Sequence, residues 1–134
     1  MRGQAAFEYM MLFSIALTLL SILVLFSQQM TARNREDIRV TNAITTVNKI
    51  VEAANIVYTQ GKPSQITLSV YIPERVDSIE FNNNVMIMTV NIGSAPNDIF
   101  AISKAPLQGN ISIISGMKKI KIIAEDNYVN VTEG

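Results

Sequence analysis

From Tyr9 through Ala32 the chain carries no charged residue, a run of 24 positions. Within it, Met10 to Phe26 is apolar apart from Ser14, Thr18 and Ser21. As a helix rising roughly 1.5 Å per residue the run is about 36 Å long, enough to cross a hydrocarbon core about 30 Å thick. A helix satisfies its own backbone polar groups, so it is the form in which one segment enters lipid. Apolar residues lie on every side of this one, which argues against a one-faced surface helix. A core helix is disfavoured on scale, because the roughly one hundred residues that follow could hardly wrap it. A removable secretory signal would have a shorter apolar core and a small-x-small cleavage site, for which Ser27 and Gln29 are a poor match. An ordinary single-pass anchor stays open.

An anchor does not explain Glu8, a carboxylate at the edge of the apolar run. An ionised carboxylate in a membrane costs at least a few kcal/mol unless paired, so its presence points to function. The surrounding residues, Arg2-Gly3-Gln4-Ala5-Ala6-Phe7-Glu8-Tyr9-Met10-Met11-Leu12, resemble the class III signal sequence of archaeal type IV pilins and archaellin-like proteins. That pattern is a basic residue and Gly, a cut, then Gln-x-Ser-x-Glu, Tyr, and Leu a turn later. Arg2, Gly3, Gln4, Glu8, Tyr9 and Leu12 match it, and Ala6 replaces the favoured Ser.

The resemblance implies that a membrane aspartyl prepilin peptidase cuts between Gly3 and Gln4 on the cytoplasmic side and leaves the apolar helix on the mature protein. It further implies a helical homopolymer of this chain, built with an assembly ATPase and a membrane platform protein. The chain would sit in membrane lipid before assembly and in a cell-surface, extracellular pilus after it. The implied function is a structural subunit for adhesion or surface attachment. The alternative is a membrane-anchored pilin-like binding protein, or a minor pilin, outside the filament body. Arg33, Arg35 and Arg39 follow the span and oppose the positive-inside rule, so orientation rests on the motif.

Other chemistry is poorly supplied. The chain has 11 basic and 11 acidic residues, no His and no Cys. Disulfides, thiolate metal sites, a Cys nucleophile and the commonest general base are thereby excluded, and no cofactor or metal is expected. The scattered Lys and Arg residues make no footprint for nucleic acid. The acids Glu36-Asp37, Asp77 with Glu80, Glu125-Asp126 and Glu133 read as surface or turn residues. No catalytic constellation is expected, nor an enzyme. Asn110-Ile111-Ser112 and Asn130-Val131-Thr132 are candidate N-glycosylation acceptors if the region lies outside the cell.

Past the span the helical period continues. Ile38, Ala43, Ile44, Val47, Ile50, Val51, Ala54 and Val57 recur at three and four, with Thr46 and Asn55 among the polar residues between them. Neither Gly nor Pro interrupts Gln4 to Gln60, and Gly61-Lys62-Pro63 then supplies a stop. One helix from about Phe7 to Thr59 is predicted, with Thr31 to Asn34 as the place for a bend.

The remainder reads as β. Ile66 to Ile72 alternates, and Asn82-Asn83-Asn84 separates strands Val76–Phe81 and Val85–Ile92, the second apolar on both faces and hence central. Gly93 to Asp98 reads as a loop, followed by strands Asp98–Ile102, Asn110–Ser115, Lys118–Ala124 and Tyr128–Thr132. Turns fall at Ser115-Gly116 and Glu125-Asp126-Asn127. The order of these features also resembles the head of small archaeal pilins. The expected fold is α+β, a long N-terminal, partly transmembrane helix followed by a small antiparallel β-sandwich or barrel head. The expected domains are a leader at 1–3, a helix at 4–60 and a β-rich head at 61–134. Within the helix, 4–30 would form the membrane or filament core and 31–60 would pack on the head.

Overall fold

The computed structural model describes residues 1–134 apart from the side chain of Arg2, the basic position of the motif, which lies outside the described residues. A single helix, α1 (Arg2–Gln60), is followed by β1 (Gln65–Ile72), β2 (Val76–Asn82), β3 (Val85–Ile92), β4 (Ala95–Ile102), β5 (Leu107–Asn110), β6 (Gly116–Ala124) and β7 (Val129–Glu133). The α+β expectation holds. The chain divides into two compact units, Met1–Arg35 and Glu36–Gly134.

The first unit is helix alone. It starts earlier than the periodicity suggested, at Arg2, and residues 31–34 stay helical. Helix ends carry little sequence signal beyond caps, which accounts for the offset.

In the second unit, strands assemble into a four-stranded sheet of order β1-β6-β7-β5 and a three-stranded sheet of order β2-β3-β4. All pairings are antiparallel except β5 with β7. Ala43, Val47, Ile50, Ala54 and Val57 of α1 share one buried cluster with the inner faces of both sheets. From the larger sheet come Val70, Ile72, Ile120, Ile122, Val129 and Val131, and from the smaller Met86, Met88 and Val90. At roughly 1.5–3 kcal/mol for each large apolar side chain taken from water, this cluster is what holds the unit together.

The helical face differs in detail from the expected one. Ile38 and Ile44 are exposed, whereas Thr46, read as a polar in-between position, is buried. Its hydroxyl donates to the carbonyl of Tyr71, which makes burial tolerable. Asn55 likewise turns inward enough to accept from the Ser103 hydroxyl and the Lys104 N–H.

Two strand boundaries are corrected. The Gly93–Asp98 loop shrinks to Gly93-Ser94, because β4 begins at Ala95 and pairs with β3 from Ile92↔Ala95 onward. Pro96 does not prevent this, since β4 is an edge strand and has one side without ladder bonds. The Asn110–Ser115 strand is absent: β5 ends at Asn110, and the next residues leave the sheet with Ile111 buried and Ile113 and Ile114 exposed. Their backbone is held by side chains instead. The Ser112 N–H donates to the Glu133 carboxylate and the Ile114 N–H to the Ser112 hydroxyl. β3 is central as expected, but only its inward face is fully buried; Ile87 on the other face is half-buried.

Candidate functional site

The candidate processing segment lies in the first turns of α1. Gly3 and Gln4 are exposed, and the space where a Cβ on Gly3 would project is open to 4 Å. Gln4, Glu8 and Leu12 follow one another at four-residue spacing, so their side chains share one stripe of the helix. Glu8 is exposed and has no hydrogen-bonding or ionic partner among the described residues. Tyr9 and Leu12 are exposed too, as are the large apolar residues from Phe7 to Phe26.

An 18-residue window of this helix has a mean hydropathy of 2.5, and none of it is buried. By length and composition the segment can cross a membrane and serve as an anchor. Its few hydroxyls fit that environment. Ser14 donates to the Met10 carbonyl, Thr18 to Ser14 and Ser21 to Leu17, each at 2.8 Å, and Thr31 to Ser27 at 2.9 Å. Each of these four bonds four residues back within its own helix and needs neither water nor a partner. The sequence alone could have signalled this, because a Ser or Thr inside a helix can bond back to the carbonyl four residues earlier whatever residue stands there.

The strand-rich unit brings Asn110 and Asn130 onto paired neighbouring strands, where Asn130 is opposite Gln108 and Asn110 opposite Thr132. Asn110 is exposed at the end of β5, an edge of the four-stranded sheet. Asn130 is half-buried on β7, on the side opposite buried Val129 and Val131, and therefore faces outward. The acids are spread as surface and turn groups. Asp77 accepts both bonds from the Asn91 amide at 2.8 Å, and Asp98 accepts from Thr89 at 2.7 Å. Lys62 lies 3.4 Å from Glu125 and 3.6 Å from Asp126, which closes the β6–β7 turn against the end of α1. The Glu125 hydrogen bond, followed by the Asp126 charge, raises the Lys62 ammonium above its ordinary value. Lys118 donates to Glu133 at 2.6 Å and holds that carboxyl below its ordinary value. No group of three metal-ligating side chains gathers among the described residues.

Comparison of the chain with protein-family models, curated proteins and solved structures finds no match.

Proposed function

We propose that this chain is a structural subunit of an archaeal type IV pilus, made for adhesion or surface attachment. The reading is carried by one arrangement: a charge-free, fully exposed helix preceded by Arg2-Gly3-Gln4 with a single carboxylate, Glu8, four residues beyond the proposed cut.

The charge logic follows from that spacing. Hydrolysis of the Gly3–Gln4 peptide bond by a membrane aspartyl peptidase releases Met1–Gly3 and leaves an α-amine on Gln4. Glu8 neutralises this amine, in its own subunit or in a neighbour's. In an apolar core, removing one partner of such a pair costs about 3–5 kcal/mol, so only subunits in register satisfy both charges. Before the cut the amine sits on Met1 beside Arg2, which places the positive charge wrongly. Cleavage thereby licenses extraction from lipid and packing of the helices into a filament core, with the strand-rich units outside. The assembly ATPase and platform protein would drive that transfer. Asn110 and Asn130, both on the outer surface, are then accessible to glycan addition.

Intact-mass analysis of material sheared from native cells tests the reading. The expected result is a high-mass, shear-released fraction whose chains begin at Gln4. Chains that keep Met1, lose the whole apolar run, or stay entirely with the membrane would replace it with an anchored binding protein or ordinary secretion.

A further inference from the structure

The two sheets of the second unit present outer faces of opposite charge, each around an exposed apolar centre. On the three-stranded sheet, Phe100 and Ile102 of β4 are 65% and 67% exposed, beside half-buried Ile87. Register places Glu80 and Phe100 on either side of Ile87, with Asp98 next along the same face of β4. The charges of that strand face are therefore acidic. On the four-stranded sheet, Tyr71 of β1 and Met117 of β6 are cross-strand neighbours, 40% and 69% exposed. Lys119 and Lys121 continue the outward face of β6, opposite Ser69 and Thr67, and no acid joins them there.

These charges are not spent on ion pairs within the unit, a property they share with Lys49, Glu52, Arg75, Asp77 and Lys104. Arg39, Lys62 and Lys118 are paired within the unit, to Glu74, to Glu125 with Asp126, and to Glu133. Lys119, Lys121, Glu80 and Asp98 enter no ion pair among the described residues. Exposed aromatic and Met side chains rimmed by charge are what interfaces are made of.

We propose that the acidic face around Phe100 and Ile102 in one copy docks on the basic face around Tyr71 and Met117 in the next copy. The inference rests on the filament reading and names the surfaces that join neighbouring heads. Because the two surfaces differ, the contact is head-to-tail. A head-to-tail contact that does not close into a ring propagates as an open helix, whereas a self-complementary one stops at a dimer. Opposite charges fix the direction of docking, and like faces repel. The contact uses the β1–β6 half of the larger sheet, while Asn110 and Asn130 project from its β5–β7 half.

Charge reversal in the full-length chain, expressed in cells that assemble it, tests the proposal. Lys119→Glu with Lys121→Glu should abolish the shear-released polymer while processed chain accumulates in the membrane, and Glu80→Lys with Asp98→Lys should do the same. All four substitutions together should restore polymer. Wild-type yield from either pair alone, or a fourfold variant as defective as the pairs, would overturn the contact. Because the chain has no Cys, cross-linking reports directly on symmetry. Phe100→Cys with Met117→Cys should give an oxidation ladder, and dimers from either single substitution would overturn a head-to-tail contact. The wild type separates the two levels of failure. Wild-type polymer with indifferent variants removes this contact and leaves the filament reading, while a wild type without processed polymer removes both.

Discussion

The hydroxyl of Thr46, buried on α1, donates to the backbone carbonyl of Tyr71 at 2.6 Å. The bond ties the helix to the last residues of β1, the strand end that carries the exposed Tyr71 ring. Thr46→Val keeps the shape and removes the donor, so it should destabilise the strand-rich unit by about 1 kcal/mol. Thr45 is the matched control, because its hydroxyl merely bonds back to the Thr41 carbonyl on the exposed side. Thr45→Val should stay within about 0.5 kcal/mol of wild type. Thermal unfolding of the full chain in detergent micelles measures both, and equal effects would show that the Tyr71 bond contributes nothing of its own.

Gly109 is required by two separate constraints. Its φ is +146°, and a Cβ there would stand 1.8 Å from the Val131 carbonyl oxygen of the paired strand. No side chain yields at that contact; the β5–β7 ladder itself would have to open. Gly109→Ala should therefore leave the unit unfolded or highly protease-sensitive. Gly116 has a comparable φ of +133° but open space to 4 Å, so Gly116→Ala meets backbone strain alone, about 1–3 kcal/mol. Limited proteolysis of membrane preparations should rank the two variants in that order.

Acid should loosen the end of the larger sheet through Glu133. The Lys118 ammonium lowers the Glu133 carboxyl from its ordinary 4.5; partial burial opposes this and the Ser112 N–H reinforces it. With the folded value below the unfolded one, the unfolded chain binds the proton more readily. The contribution is thus present above pH 4.5 and lost as pH falls through the lowered folded value. Unfolding temperatures followed downward from pH 6 should fall less steeply for Glu133→Gln than for wild type. Lys62 runs the other way: raised above 10.5 by Glu125 and Asp126, it contributes below that pH and is lost as pH rises through its folded value. Lys62→Met should accordingly flatten the alkaline limb.

Much of this architecture was legible because local chemistry and global packing agree. The absence of charge from Tyr9 to Ala32 marks the span, and Gly61, at φ +75°, ends the helix as its position indicated. Asn83, at φ +54°, makes the β2–β3 turn for the reason that Asn tolerates that region. The misreadings share a cause, which is dependence on tertiary neighbours. Gly93 to Asp98 read as a loop, but only the sheet order reveals that β4 is an edge, where Pro96 is tolerated. Ile111 to Ile114 has strand-forming residues, yet Glu133, distant in sequence, claims the backbone. Thr46 looked polar and outward until Tyr71 supplied an acceptor. At the candidate site, the four-residue spacing of Gln4, Glu8 and Leu12 was visible directly, because on one helix sequence distance is geometry. The opposed charges of the two sheet faces were not, since they emerge only when register aligns separate strands.

That same helical geometry yields the sharpest expectation for Glu8. Glu8→Gln keeps size and hydrogen bonding while removing the charge that would meet a Gln4 amine. Cleavage precedes the need for that charge, so the variant chain should still be cut after Gly3 and should accumulate in the membrane. Polymer should be lost from the sheared fraction, because each assembled subunit would bury an unpaired amine at about 3–5 kcal/mol. Mass analysis of the sheared and membrane fractions reads cleavage and assembly separately. Uncut Glu8→Gln chain would assign Glu8 to the peptidase instead, and wild-type polymer from it would mean that the amine is satisfied by another group.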